Sequence, residues 1–194
     1  MVGFGPKQAW LAVADAKPEA VLAALGARDL GEVEWRQGID VAYLTDDRLV
    51  ATPPLPGAGG RDWVLVAGRR FLRGFEAAPD VAELSAVLGT EVQFFSTYRV
   101  AEAHRWERAT GGVLRRAFGY VGESGEITRW EGVPDLAERA AGLPASTEPD
   151  PDGEPPSILV GEDDMLAVAA AWSVDPAKLD GRPAPGPLRA AAID

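Results

Sequence analysis

His104 is the sole imidazole of the chain, and it falls in a stretch, residues 91–130, dense in arginine and aromatic side chains. His104, Trp106 and Arg108 alternate along one strand-like run and therefore share a face. Leu114, Arg116, Phe118 and Tyr120 do the same on the next run. With Tyr98, Arg99, Glu102 and Trp130 these supply the candidate binding residues: Tyr98, Arg99, Glu102, His104, Trp106, Arg116, Tyr120 and Trp130. Such a set could hold a polar or anionic ligand between aromatic walls. The same residues fit an exposed sheet face held by cross-strand aromatic contacts, cation–π contacts and ion pairs, for instance Glu107 with Arg115. No residue is assigned a catalytic role. A Ser–His–acid triad would have to pass through His104, and no G-x-S-x-G elbow accompanies it.

Composition narrows the chemistry further. The chain has no cysteine, which removes disulfides, thiol nucleophiles, zinc ribbons and iron–sulfur clusters. A metal site would have to be built mostly from carboxylates, and no metal or cofactor is expected. The triplet Glu162-Asp163-Asp164 resembles a metal cluster, but consecutive acids at a helix start point in different directions and suit the free N–H groups and dipole there. Gly57-Ala58-Gly59-Gly60 lacks the strand–loop–helix setting and the lysine of a phosphate loop, so it reads as a linker. Of six tryptophans, Trp10 and Trp63 open apolar strands and read as core, whereas Trp35, Trp106 and Trp130 could line a surface.

Thirty acids against nineteen bases give a net charge of −11. That excludes nucleic acid as the expected partner, since phosphate contacts need a basic face, and suits a basic protein partner. The charge is concentrated: residues 146–194 carry ten acids and three bases, while residues 91–130 carry six arginines and five glutamates. No apolar run is long enough to cross a bilayer and no export signal opens the chain, so a cytoplasmic protein without a membrane partner is expected.

The elements that must position these residues read as α+β. Residues 8–52 and 61–130 are expected to form two β-α-β-β units, an internal duplication, giving a largely antiparallel sheet. The Pro/Gly-rich segment 53–60 connects them. Trp63-Val-Leu-Val-Ala echoes Trp10-Leu-Ala-Val-Ala, and the Pro79–Gly89 run echoes Pro18–Gly26. In the first unit, strands are expected at 10–14, 32–35, 41–44 and 48–51. In the second, 91–130 is a meander whose turns fall at Gly111-Gly112 and at 122–125. Asp80 caps the second helix, Val81, Leu84 and Leu88 form its buried stripe, and Gly89 ends it. Residues 131–194 are expected to be helical, with Leu136 and Ala140 facing inward, an acidic Pro-rich loop at 144–156, and a helix that docks through Met165, Val168, Ala169 and Trp172. The stretch 181–187 reads as a loosely ordered tail.

The runs EVQFFSTYRVAEAHRW, RAFGYVGESGE and GEDDMLAVAAAWSVDP resemble uncharacterised small acidic proteins of high-GC bacteria, over about residues 60–180. In size, acidity and α+β character the chain is also similar to toxin-immunity proteins. That resemblance implies a non-catalytic cytoplasmic binding protein that neutralises a basic toxin by surface complementarity. An alternative stands open: a small-molecule binding protein or enzyme with a polar, aromatic-lined pocket on the 91–130 meander or between the two units.

Overall fold

The computed structural model describes residues 1–72, 78–148 and 158–193. Its centre is strand β1 (Ala9–Ala14), whose six residues are all buried. Alternate side chains serve two cores: Trp10, Ala12 and Ala14 pack on one face of the sheet, Ala9, Leu11 and Val13 on the other. After β1 come helix α1 (Pro18–Ala24), β2 (Arg28–Val33), α2 (Trp35–Leu44), β3 (Arg48–Ala51), β4 (Leu55–Pro56), β5 (Asp62–Ala67) and α3 (Val81–Leu88). The meander follows as β6 (Glu91–Tyr98), β7 (Ala103–Thr110), β8 (Val113–Val121) and β9 (Glu126–Glu131). Helices α4 (Leu136–Ala140) and α5 (Glu162–Trp172) and strand β10 (Leu188–Ala192) complete the described elements.

All ten strands lie in one open sheet, ordered β2-β10-β3-β5-β1-β6-β7-β8-β9, with β4 beside β5. Every neighbouring pair is antiparallel. Helices α2, α4 and α5 cover the face that carries Trp10, Phe95, Trp106 and Phe118, while α1 and α3 cover the face that carries Leu11, Val64 and Phe94. The class is α+β, with the expected antiparallel sheet and C-terminal helices packed on it.

Local chemistry explains the helix limits. Pro18 stands in the first turn of α1, where its missing N–H costs nothing. The Asp80 carboxylate accepts from the N–H groups of Ala82 at 2.9 Å and Glu83 at 3.0 Å, and Gly89 closes α3 with φ +67°. Met165, Val168, Ala169 and Trp172 all face the core, and Trp172 meets Phe95 at 6.0 Å between ring centroids.

Four expectations change. Residues 41–44 belong to α2 rather than to a strand: Trp35, Gly38, Ile39 and Ala42 are its buried residues, an i, i+3, i+4, i+7 stripe that outweighs the short apolar run Val41–Leu44. The second strand is accordingly 28–33, and the first half runs β-α-β-α-β, so a repeated β-α-β-β order is not shown. The connector 53–60 holds the two-residue strand β4 and a short 3-10 turn at 58–60. Residues 188–192, placed in a helical C-terminal segment, form β10, which inserts between β2 and β3. Of the acidic loop 144–156, residues 149–156 lie outside the described residues.

Leu11 is fully buried and makes the centre of one core, while the Asp80 cap is exposed. Leu11→Ala should cost about 2–5 kcal/mol and Asp80→Ala about 1 kcal/mol, read as shifts in the urea midpoint at unchanged slope. A Leu11→Ala loss no larger than that of Asp80→Ala would contradict the central place of β1.

Candidate functional site

Strand register decides which candidates meet. His104 stands opposite Tyr120, Trp106 opposite Phe118 and Arg108 opposite Arg116, so the two proposed faces coincide except at Leu114, which a bulge between Arg108 and Ala109 turns to the other core. That common face is buried rather than exposed, because α4, α5 and residues 158–160 cover it. The set then separates into two groups and a remainder.

Trp106, Arg116 and Trp130 belong to a buried polar network. The Arg116 Nε donates to Glu138 Oε1 at 2.8 Å, and the Trp106 indole N–H donates to the same oxygen at 2.7 Å. Arg116 Nη1 donates to the carbonyls of Ala117 and Glu131, and its guanidinium lies 4.5 Å from the Trp130 ring centroid. Both charged side chains are almost completely removed from water. Burial pulls the Arg116 pKa down from its ordinary value, against the charge and hydrogen bond of Glu138, which act to raise it. Glu138 explains a further correction: Leu136 and Ala140 are exposed, and the residue that α4 turns inward is Glu138. The Asp135 capping box holds it in place, with the Asp135 N–H donating to Glu138 Oε2 at 3.0 Å. Glu107, expected to pair with Arg115, pairs instead with Arg105 and Arg129 on the opposite face.

Arg99, Glu102, His104 and Tyr120 line a cleft of about 510 Å³ together with Gly122 and residues 159–162. Its walls are the β6–β7 turn, the end of β8 and the start of α5. The Tyr120 hydroxyl donates to the Ile158 carbonyl at 2.8 Å, which fixes one wall. Glu162 fixes another: its Oε1 accepts from Arg99 Nη2 at 2.6 Å, and its Oε2 from the Lys7 N–H at 2.9 Å and the Thr97 hydroxyl at 3.2 Å. Burial pushes the Glu162 pKa up, but these hydrogen bonds and the Arg99 charge outweigh it and leave the carboxyl below its ordinary value. Glu162 is thus a bracket that holds the cleft together, and the helix start is capped by Asp164, whose carboxylate accepts from the Gly161 N–H at 2.8 Å.

Backbone strain gathers at the same place. Lys7 (φ +60°) and Glu102 (φ +48°) are two of three non-glycine residues with positive φ among those described. Gly122 permits the close approach of Glu102, since a Cβ at 122 would lie 2.9 Å from both the Cβ and Oε2 of Glu102. His104 is 5% exposed, and its Nδ1 has no hydrogen-bond partner. Burial pushes its pKa below 6.5, against the opposing pull of the Glu162, Glu102 and Asp164 carboxylates, so the neutral ring is the native form. Tyr98 is not part of this cleft; it lines a smaller hollow of about 200 Å³ with Phe71, Leu72, Phe94 and Arg105, and His104 borders that hollow as well.

Glu138, Glu162, Thr97, Gly122 and the Lys7 N–H were not among the residues the sequence singled out for the site. Only Glu162 carried a signal, as part of an acidic triplet, and that signal pointed to capping. Among the described residues no group of three or more His, Cys, Asp or Glu side chains could hold a metal ion, and no helix is long and apolar enough to cross a membrane. No family model, curated protein or solved structure matches the chain.

Two measurements follow from these environments. Glu138→Gln leaves the Arg116 charge buried without its counter-ion and should cost about 3–5 kcal/mol in urea unfolding; a loss under about 1 kcal/mol would show that the pair is dispensable. For His104 the native pKa lies below the unfolded one, so as pH falls below 6.5 the unfolded chain takes up a proton first. Stability should therefore decline from that pH down to the native pKa, and His104→Gln should remove that part of the slope. The imidazole resonance of a chain with one histidine reports the native pKa directly by NMR.

Proposed function

We propose that this is a non-catalytic, cytoplasmic binding protein that neutralises a basic protein, as toxin-immunity proteins do, and that the cleft at the β6–β7 turn is its recognition site. The observation that carries this reading is the charge of the cleft rim. Glu102 forms no ion pair among the described residues, and the one arginine of the cleft, Arg99, is already cancelled by Glu162. Leu159 on the cleft and Val100 in the adjoining turn are both largely exposed, offering apolar contact beside the charge. This is the arrangement in which acids steer a basic partner and apolar groups hold it. Groups that an enzyme could use, Tyr120, Arg116, Glu138 and Glu162, are each engaged in a hydrogen bond or ion pair that supports the fold.

A second reading, a small-molecule binding protein or enzyme, has one observation in its favour: His104, whose buried Nδ1 is unpartnered, lines a cleft of ligand size. Native mass spectrometry of protein purified gently from its own host separates the two. A retained small molecule, lost in His104→Gln, would decide for the second.

The neutralising reading is tested by co-expressing the chain with basic proteins encoded beside its gene and scoring growth. Expected is rescue by the native chain, a 1:1 complex on purification, and loss of both in the double variant Glu102→Lys, Leu159→Arg. Glu32→Lys on the far edge strand β2 should leave rescue intact. Rescue that survives the cleft variant, or its absence with every neighbour, would sink the proposal.

A further inference from the structure

The chemistry of the cleft is more specific than its net charge. The cleft lining includes Glu102, which forms no ion pair among the described residues, and His104, whose buried Nδ1 has no hydrogen-bond partner. In the Nε2–H tautomer of the neutral ring, Nδ1 is the bare nitrogen, an acceptor. Glu102 and His104 thus both ask for hydrogen-bond donors, and neither offers one at those atoms.

The other charges do not change the sign. Both oxygens of Glu162 are occupied by Arg99, Lys7 and Thr97, so the Glu162–Arg99 pair is internally neutral. The start of α5 would ordinarily attract an anion. Here, however, its first turn holds Glu162, Asp163 and Asp164, and the Gly161 N–H is already taken by Asp164. Tyr120 spends its hydroxyl proton on the Ile158 carbonyl. An incoming anion would meet Glu102 without a free cation among the lining residues.

We infer that the cleft binds the cationic head of a basic side chain, a guanidinium or an ammonium presented by the partner, between the Glu102 carboxylate and the His104 ring. Such groups are donors only and match both acceptors. Leu159 and Tyr120 then flank the aliphatic stem of that side chain. This rests on the binding reading above and names the group that the cleft selects.

The test uses the full chain and small probes: N-acetyl-argininamide, N-acetyl-lysinamide, the uncharged N-acetyl-citrullinamide and free spermidine. The His104 imidazole resonance is the reporter. Expected is saturable movement of that resonance with the arginine or lysine amide and none with the citrulline amide. Glu102→Gln should weaken the interaction roughly three- to tenfold. A bound cation also disfavours the imidazolium, so the His104 pKa should fall further in the presence of the probe. The charged groups around the ring, Arg99, Glu102, Glu162 and Asp164, are the same with and without probe, so this shift reads the added cation.

Equal responses to the arginine and citrulline amides, a response to phosphate instead, or an affinity unchanged in Glu102→Gln would each overturn the assignment. Tighter binding of free spermidine than of either amide would overturn the assignment to a partner side chain. The outcomes separate from those of the growth assay: cation binding without rescue rejects the neutralising function but keeps the cleft chemistry, and rescue without cation binding does the reverse.

Discussion

The structure depends on β1 being buried on both faces and paired on both edges. Its registers run to β5 on one side and β6 on the other, so the two halves of the chain meet in one continuous sheet rather than as two packed lobes. A strand in that position cannot spare a face for water, which is why it reads Ala-Trp-Leu-Ala-Val-Ala without alternation. Trp10 then stacks on Phe95 at 5.2 Å, and Phe95 meets Trp172 of α5. One aromatic chain thus ties the central strand, the meander and the C-terminal helix into the same core. At the far margin, β10 closes the gap between β2 and β3, so the C-terminal residues complete the sheet that the N-terminal residues begin.

The meander carries its polar groups inside. Arg116, Glu138 and Trp106 form a network in which one carboxylate oxygen serves both an arginine and an indole. A buried ion pair is weak evidence of stabilisation, because desolvation offsets most of the attraction. Its consequence here is positional. It sets α4 against β7 and β8, and Asp135 at the start of α4 also accepts from the Trp172 indole N–H at 2.8 Å. The helix that bounds the cleft is therefore held through the same short segment that supplies Glu138.

At the cleft the local rules are bent together. Lys7 and Glu102 adopt backbone angles that L-residues avoid, Gly122 makes room for Glu102, and an imidazole is buried with an unpartnered nitrogen. Each is unfavourable taken alone. Glu162 compensates by joining two distant pieces of chain, Lys7 and the Thr97–Arg99 stretch, to the start of α5 through one carboxylate. The Arg116 network a short distance along the same sheet is bound into the fold through Glu138, Ala117 and Glu131, although its Nη2 is also buried without a partner.

Much of this was legible in local patterns. The meander and its Gly111-Gly112 turn, the Asp80 cap, the Gly89 stop and the α5 stripe all follow from neighbours a few residues apart, where backbone geometry and side-chain period act directly. The α2 stripe was equally local but was hidden by the apolar run Val41–Leu44, which a strand also explains. What no local pattern contained was register. Only pairing places His104 opposite Tyr120 and Arg116 beneath α4, and only the return of the chain from position 136 onward puts Glu138 within 2.8 Å of Arg116. The amino-acid sequence by itself determined an acidic α+β chain and most of its elements, because propensity and period are short-range. The tertiary structure alone decided that Arg116 and Trp106 are core with the half-buried Trp130 packed against them, and that Arg99, Glu102, His104 and Tyr120 share a cleft, because burial and charge pairing arise between residues far apart in the chain.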